Sequence, residues 1–77
     1  MYEFKKSTRK NKKYDVYKKG DYIVSFGDSR YEQYFDKIGL YSNKDHNDKE
    51  RRRLYYARHG KTAEKETPKW FSHKYLW

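Results

Sequence analysis

Apolar and polar residues alternate twice near the start of the chain. Tyr14 and Val16 alternate with Asp15 and Tyr17, and Tyr22, Val24 and Phe26 alternate with Ile23 and Ser25. Between the two runs lies Lys18-Lys19-Gly20-Asp21, where Gly20 is free to take the positive φ of a tight turn. Alternation with period two on either side of such a turn predicts a β-hairpin over 13–27, with strands of about five residues. A lone hairpin is marginal in water, so one face needs helices on it.

The period then lengthens. Tyr31, Tyr34, Phe35 and Ile38 fall at i, i+3, i+4 and i+7, which predicts a helix over 30–38 with a buried aromatic stripe. Ser29 and Glu32 have the spacing of a capping box, and Gly39 supplies a stop. A polar linker, 40–46, leads to the stretch with the strongest helical signals, 48–59. There Asn47 is placed to cap the helix, with Glu50 three residues on, and Gly60 follows its end. Asp48 and Glu50 complement the positive end of the helix dipole, and Arg58 and His59 the negative end. Glu50, Leu54 and Ala57 share a stripe flanked by Tyr55 and Tyr56, while Arg51, Arg52, Arg53 and Arg58 spread over the remaining surface.

A second linker, 61–66, precedes an aromatic segment, 68–77. Thr67 suits an N-cap and Pro68 a first helical position. Trp70, Phe71, Tyr75, Leu76 and Trp77 crowd this segment, which is expected to fold back over the hairpin and close the core. The alternative is that these five residues dock on a partner. Residues 1–12 show no sustained period and read as a flexible, disordered basic arm with Tyr2 and Phe4 as anchors. The expected fold is therefore α+β: an N-terminal β-hairpin packed on two or three short helices, in a single small domain over 13–77.

Composition changes this picture in one respect and charge in another. Aliphatic residues are few, so ten Tyr, four Phe and two Trp must supply most of the core. A tyrosine can bury its ring and keep its hydroxyl wet, which suits a thin domain. The net charge is +9, and it is not spread evenly. Lys5, Lys6, Arg9, Lys10, Lys12 and Lys13 oppose only Glu3, and Lys49, Arg51, Arg52, Arg53, Arg58 and Lys61 oppose only Asp48 and Glu50. Elsewhere the charges cancel. Such concentration is the footprint of a polyanion partner. These twelve cations are the candidate nucleic-acid contacts, since arginine and lysine match phosphate oxygens.

Other chemistries find no support in the spacing. The chain has no cysteine, which excludes disulfides and thiolate metal sites. No apolar run approaches the roughly 20 residues of a membrane span, and no signal-peptide core is present; the expected setting is intracellular. Arg58-His59-Gly60 imitates the R-H-G of histidine phosphatases, but it ends a helix where that chemistry needs a strand and a large α/β domain after it. Gly60-Lys61-Thr62 imitates the end of a phosphate-binding loop, yet Tyr55 stands where that loop needs glycine. His46-Asn47 and His59 suggest an H-N-H nuclease, but the two histidines lie at opposite ends of one helix, roughly 18–20 Å apart. No nucleophile–base pair stands out. The chain is expected to be no enzyme and to need no metal or cofactor.

His46, Asp48, Arg51, Arg52, Tyr55, Ala57, Arg58 and His59 form an H-x-D-x-x-R-R-x-x-Y-x-A-R-H pattern, preceded by Phe26, Gly27, Tyr31 and Tyr34 and followed by Trp70, Phe71, Ser72, Leu76 and Trp77. Over 14–77 the chain resembles a family of small proteins encoded by giant DNA viruses of algae and protists and by some marine phages. It departs from that family in a longer Gly39–Asp45 stretch and in the tail. The resemblance implies a viral setting, in an infected host cell or in the virion, and supplies no chemistry. The expectation is a small basic viral protein that binds nucleic acid, DNA ahead of RNA, through phosphates and largely without sequence preference, for genome packaging or condensation. The alternative is a minor structural or cement protein of the virion that meets capsid or other virion proteins through its aromatic C-terminus. An oligomer is left open by either reading.

Overall fold

The computed structural model describes all 77 residues. Three strands, β1 (Tyr2–Lys6), β2 (Tyr14–Lys18) and β3 (Asp21–Phe26), form an antiparallel sheet in the order β1-β2-β3. Two helices follow, α1 (Lys49–His59) and α2 (Pro68–Tyr75), with one 3₁₀ turn at Ser42–Lys44 before them. The fold is α+β.

The hairpin forms where the alternation places it. Lys19 and Gly20 make a two-residue turn with φ of 52° and 81°, matching the right-handed twist of the strands on either side. A bulge between Val16 and Tyr17 shifts the register toward the turn. The expected disordered arm is a correction. Its first residues are β1, with Tyr2 opposite Lys18, Phe4 opposite Val16 and Lys6 opposite Tyr14. The alternation Tyr2-Glu3-Phe4 is a strand signal that the surrounding charge obscures. Tyr2 and Phe4 turn toward the core, and the Tyr2 hydroxyl donates to Glu66 Oε2 at 2.5 Å.

Tyr14, Val16 and Phe26 from the sheet and Phe71 and Leu76 from the C-terminal segment make the buried apolar core. The Phe71 ring stacks on Phe26 at 5.5 Å and meets Tyr2 edge-on at 5.1 Å. Thr67 caps α2 by accepting from the Trp70 N–H, and Pro68 occupies the first turn. The aromatic segment thus closes the core. Gly27 permits the approach: its φ is +77°, and a Cβ there would lie 3.0 Å from Leu76 Cδ1 and 3.1 Å from Lys13 Cβ.

The helix expected over 30–38 is the second correction. The backbone here spends its hydrogen bonds on other segments. Gln33 N–H donates to Lys44, His46 N–H to Gln33, and Phe35 and Lys37 N–H to Leu76 and Tyr75. Asp36 fixes the path. Its buried carboxylate accepts from the Tyr14 hydroxyl at 2.5 Å and from the Ile38 and Tyr41 N–H groups at 2.8 Å. The Gln33 amide donates to Tyr41 O and Asp45 Oδ1. A saturated polar hub of this kind outweighs local helix propensity. The expected stripe accordingly splits: Tyr31 and Phe35 are exposed, and only Ile38 packs on the core.

The helix expected at 48–59 is α1, with its cap shifted by one residue. Asp48 accepts from the Glu50 and Arg51 N–H groups, whereas Asn47 takes φ 55°. No residue of α1 is buried. Leu54, on the stripe shared with Glu50 and Ala57, is 48% exposed.

This division of labour has a measurable consequence. Phe71→Ala should cost about 3–5 kcal/mol, as for a fully buried aromatic. Leu54→Ala should stay within about 0.5 kcal/mol, as for a surface position. Thermal or urea melts of the two variants check both values.

Candidate nucleic-acid interface

α1 reaches the rest of the molecule through aromatic and polar contacts at one edge. The Tyr55 ring lies parallel to Trp77, with centroids 4.2 Å apart and 5° between planes. Its hydroxyl meets His73 Nδ1 at 3.0 Å, and the Tyr56 ring lies 4.9 Å from His73. Burial pushes the Tyr55 phenol up to about 12. Arg52 Nε donates to the Trp77 carbonyl at 2.7 Å, and its guanidinium lies over the Tyr34 ring at 5.0 Å. Arg51 reaches across to Glu32 at 2.8 Å. Arg53 pairs with Glu50 on the same helix.

The arginine triplet is therefore partly structural. Lys49, Arg58 and Lys61 are different: the chain's four ion pairs are Lys18–Glu66, Arg30–Asp28, Arg51–Glu32 and Arg53–Glu50, and these three cations belong to none. Two open surfaces flank the helix. On one side Lys49, Arg52, Arg53 and Lys61 surround Tyr56 and Ala57 in a shallow groove. On the other a cleft of about 630 Å³ opens between the hairpin root, α1 and α2. Lys12, Arg51, Arg58 and Lys69 line it, together with the apolar surfaces of Tyr31 and Leu54. Asp28 and Glu32 also line it, each already engaged by an arginine.

The N-terminal cations separate into three groups. Lys5, Lys6 and Arg9 lie over aromatic rings, those of Tyr17, Tyr41 and Tyr22 respectively, at 4.3–5.0 Å. Lys10 is exposed on the turn after β1, and Lys12 reaches the cleft. Lys13 is 1% exposed and donates to Gln33 Oε1. Its burial drives the ammonium down to about 8. Lys13 is a correction to the candidate set, because no phosphate can reach a side chain enclosed in this way. The C-terminal docking set divides. Phe71 and Leu76 are buried, and Trp70, Tyr75 and Trp77 pack against the same core.

Lys69 and Tyr31 line the cleft but lie outside the candidate set. Lys69 falls outside the two basic stretches, among residues whose charges cancel in total, so charge counting passes over it. Tyr31 has helical spacing with Tyr34 and Phe35 and reads as core. In the structure it is 62% exposed.

No helix is long and apolar enough to cross a membrane, and no cluster of His, Asp or Glu has the grouping of a metal site. The chain matches no family model, no curated protein and no solved structure.

The attachment of α1 depends on two imidazoles. His46 Nδ1 accepts from the Asp48 N–H at 2.9 Å, and its ring lies against Trp77. The Nε2 atoms of His46 and His73 are buried without a hydrogen-bond partner. Burial, and then neighbouring cations, hold both below the ordinary imidazole value. The unfolded chain takes up these protons near 6.5, the folded chain only at lower pH. Their contribution is thus fully present above 6.5 and is lost as pH falls through the folded values. The melting temperature should drop between about pH 7 and 5, ahead of the carboxylate range, and His73→Phe should flatten that drop. Melts across pH check it.

Proposed function

We propose that this chain is a small basic viral nucleic-acid-binding protein that grips phosphates largely without regard to sequence. The observation that carries the reading is α1 itself. It buries no residue, and Lys49, Arg58 and Lys61 project from it and its C-terminal cap without a carboxylate partner. A helix that buries no residue and leaves Lys49 and Arg58 unpaired offers those cations for contact outside the chain. Lys12 and Lys69, across the cleft from α1, extend the same positive surface. Arg51 and Arg52 orient the helix, and all three arginines of the triplet add to its field.

The resemblance to proteins of giant DNA viruses supports a viral setting, in an infected cell or virion, and puts DNA ahead of RNA. Packaging or condensing a genome asks for this kind of contact: many phosphates, little base readout. The reading calls for no catalysis and no cofactor. The nucleic-acid reading is preferred to docking on virion proteins through Trp70, Phe71, Tyr75, Leu76 and Trp77, because Phe71 and Leu76 fill this chain's own core and the other three pack against it.

Contact with about four to six phosphates implies a log–log salt slope of about −4 to −5 on duplex DNA. Lys49→Gln, Arg58→Gln and Lys61→Gln together should leave the fold intact and make the slope shallower by about two to three. Titrations at rising salt, beside thermal melts, read both. Affinity that ignores salt would contradict the proposal.

A further inference from the structure

We propose that the cleft between the hairpin root, α1 and α2 takes one unstacked nucleotide of a single strand, so that single-stranded nucleic acid is the preferred ligand. This rests on the phosphate-binding reading above and names its ligand class. The cleft, about 630 Å³, lies within the roughly 300–1,000 Å³ range typical of small-molecule sites. Its lining combines what a nucleotide requires. Lys12, Arg58 and Lys69 offer cations in no ion pair, and Tyr31 and Leu54 offer apolar surface.

The apolar pair is what a pure phosphate surface leaves unexplained. In a chain so short of apolar residues, Tyr31 and Leu54 remain 62% and 48% exposed, and both line the same cleft. Arg30 lies over the Tyr31 ring at 5.4 Å, and the ring stays largely exposed, so a second planar group can meet it. A nucleobase is such a group. Stacking on an aromatic ring is tolerant of sequence, and the phosphates on either side would meet the surrounding cations. The acidic residues of the lining do not oppose this, since Glu32 is bonded to Arg51 and Asp28 to Arg30. A paired base in a duplex is stacked on both faces and cannot enter without being unpaired and flipped out.

The test compares fluorescence anisotropy of a labelled oligothymidylate with that of a duplex of equal length, at matched salt, for the full chain and for Tyr31→Ala and Tyr31→Phe. The single strand should bind more tightly than the duplex. Tyr31→Ala should weaken single-strand binding about five-fold or more, leaving duplex affinity, the salt slope and the melting temperature unchanged. Tyr31→Phe, which keeps the ring, should restore it. Salt-dependent duplex binding with no single-strand preference and no effect of Tyr31→Ala would overturn the cleft proposal alone. An equal loss on both ligands, or a lowered melting temperature, would overturn it too by making Tyr31 a general contact or a structural residue. Binding to neither ligand would overturn both this proposal and the phosphate reading.

Discussion

The stacking of Phe71 on Phe26 is the contact on which the remaining arrangement depends. A short chain with few aliphatic side chains has no other way to enclose an apolar interior. Phe71 brings α2 onto the sheet, and its edge contact with Tyr2 fixes β1 as the third strand. With α2 in place, Leu76 reaches Gly27, and the carbonyls of Tyr75 and Leu76 become acceptors for Lys37 and Phe35. The irregular segment after β3 is thereby held from two directions, by the C-terminal residues and by the Asp36 hub. Aromatic burial and a saturated polar network divide the work that a larger aliphatic core would do in a longer chain.

The consequence for function lies one step further out. α2 carries His73 and is followed by Trp77, and these two side chains receive Tyr56 and Tyr55 of α1. α1 is positioned by those rings and by Arg51 and Arg52, with no buried residue of its own. The helix can therefore expose cations on both flanks without opening the core to water. Folding and the proposed binding draw on different residues. Phe71, Tyr14 and Asp36 serve the first; Lys49, Arg58, Lys61 and the cleft serve the second.

Period and caps made the hairpin, α1 and α2 legible in the sequence, because the signals at Gly20, Gly60, Thr67 and Pro68 are local. What was not legible depended on distant partners. Tyr31, Tyr34, Phe35 and Ile38 have helical spacing, but Asp36 finds Tyr14, and Phe35 and Lys37 find the C-terminal carbonyls, far along the chain. β1 was hidden because charge dominates its composition, whereas Tyr2 and Phe4 decide its fate. Part of the candidate site was legible from the charge surplus of α1. Charge alone could not separate Arg51 and Arg53, which are paired within the chain, from Lys49 and Arg58, which are not. Nor could it show that Lys13 lies inside, or that Lys69 and Tyr31 face the same opening.

The central claim is that the polyanion surface is α1 with its adjoining cleft, and that the aromatic core stays out of it. Mapping amide shifts by ¹⁵N NMR as an oligonucleotide is added tests this most directly. The account predicts perturbations over Lys49–Lys61, at Lys12, Tyr31 and Lys69, with β2, β3 and Phe71 largely unmoved. Shifts concentrated on the outer face of the sheet, around Lys5, Arg9, Tyr17 and Tyr22, with α1 unaffected, would contradict it.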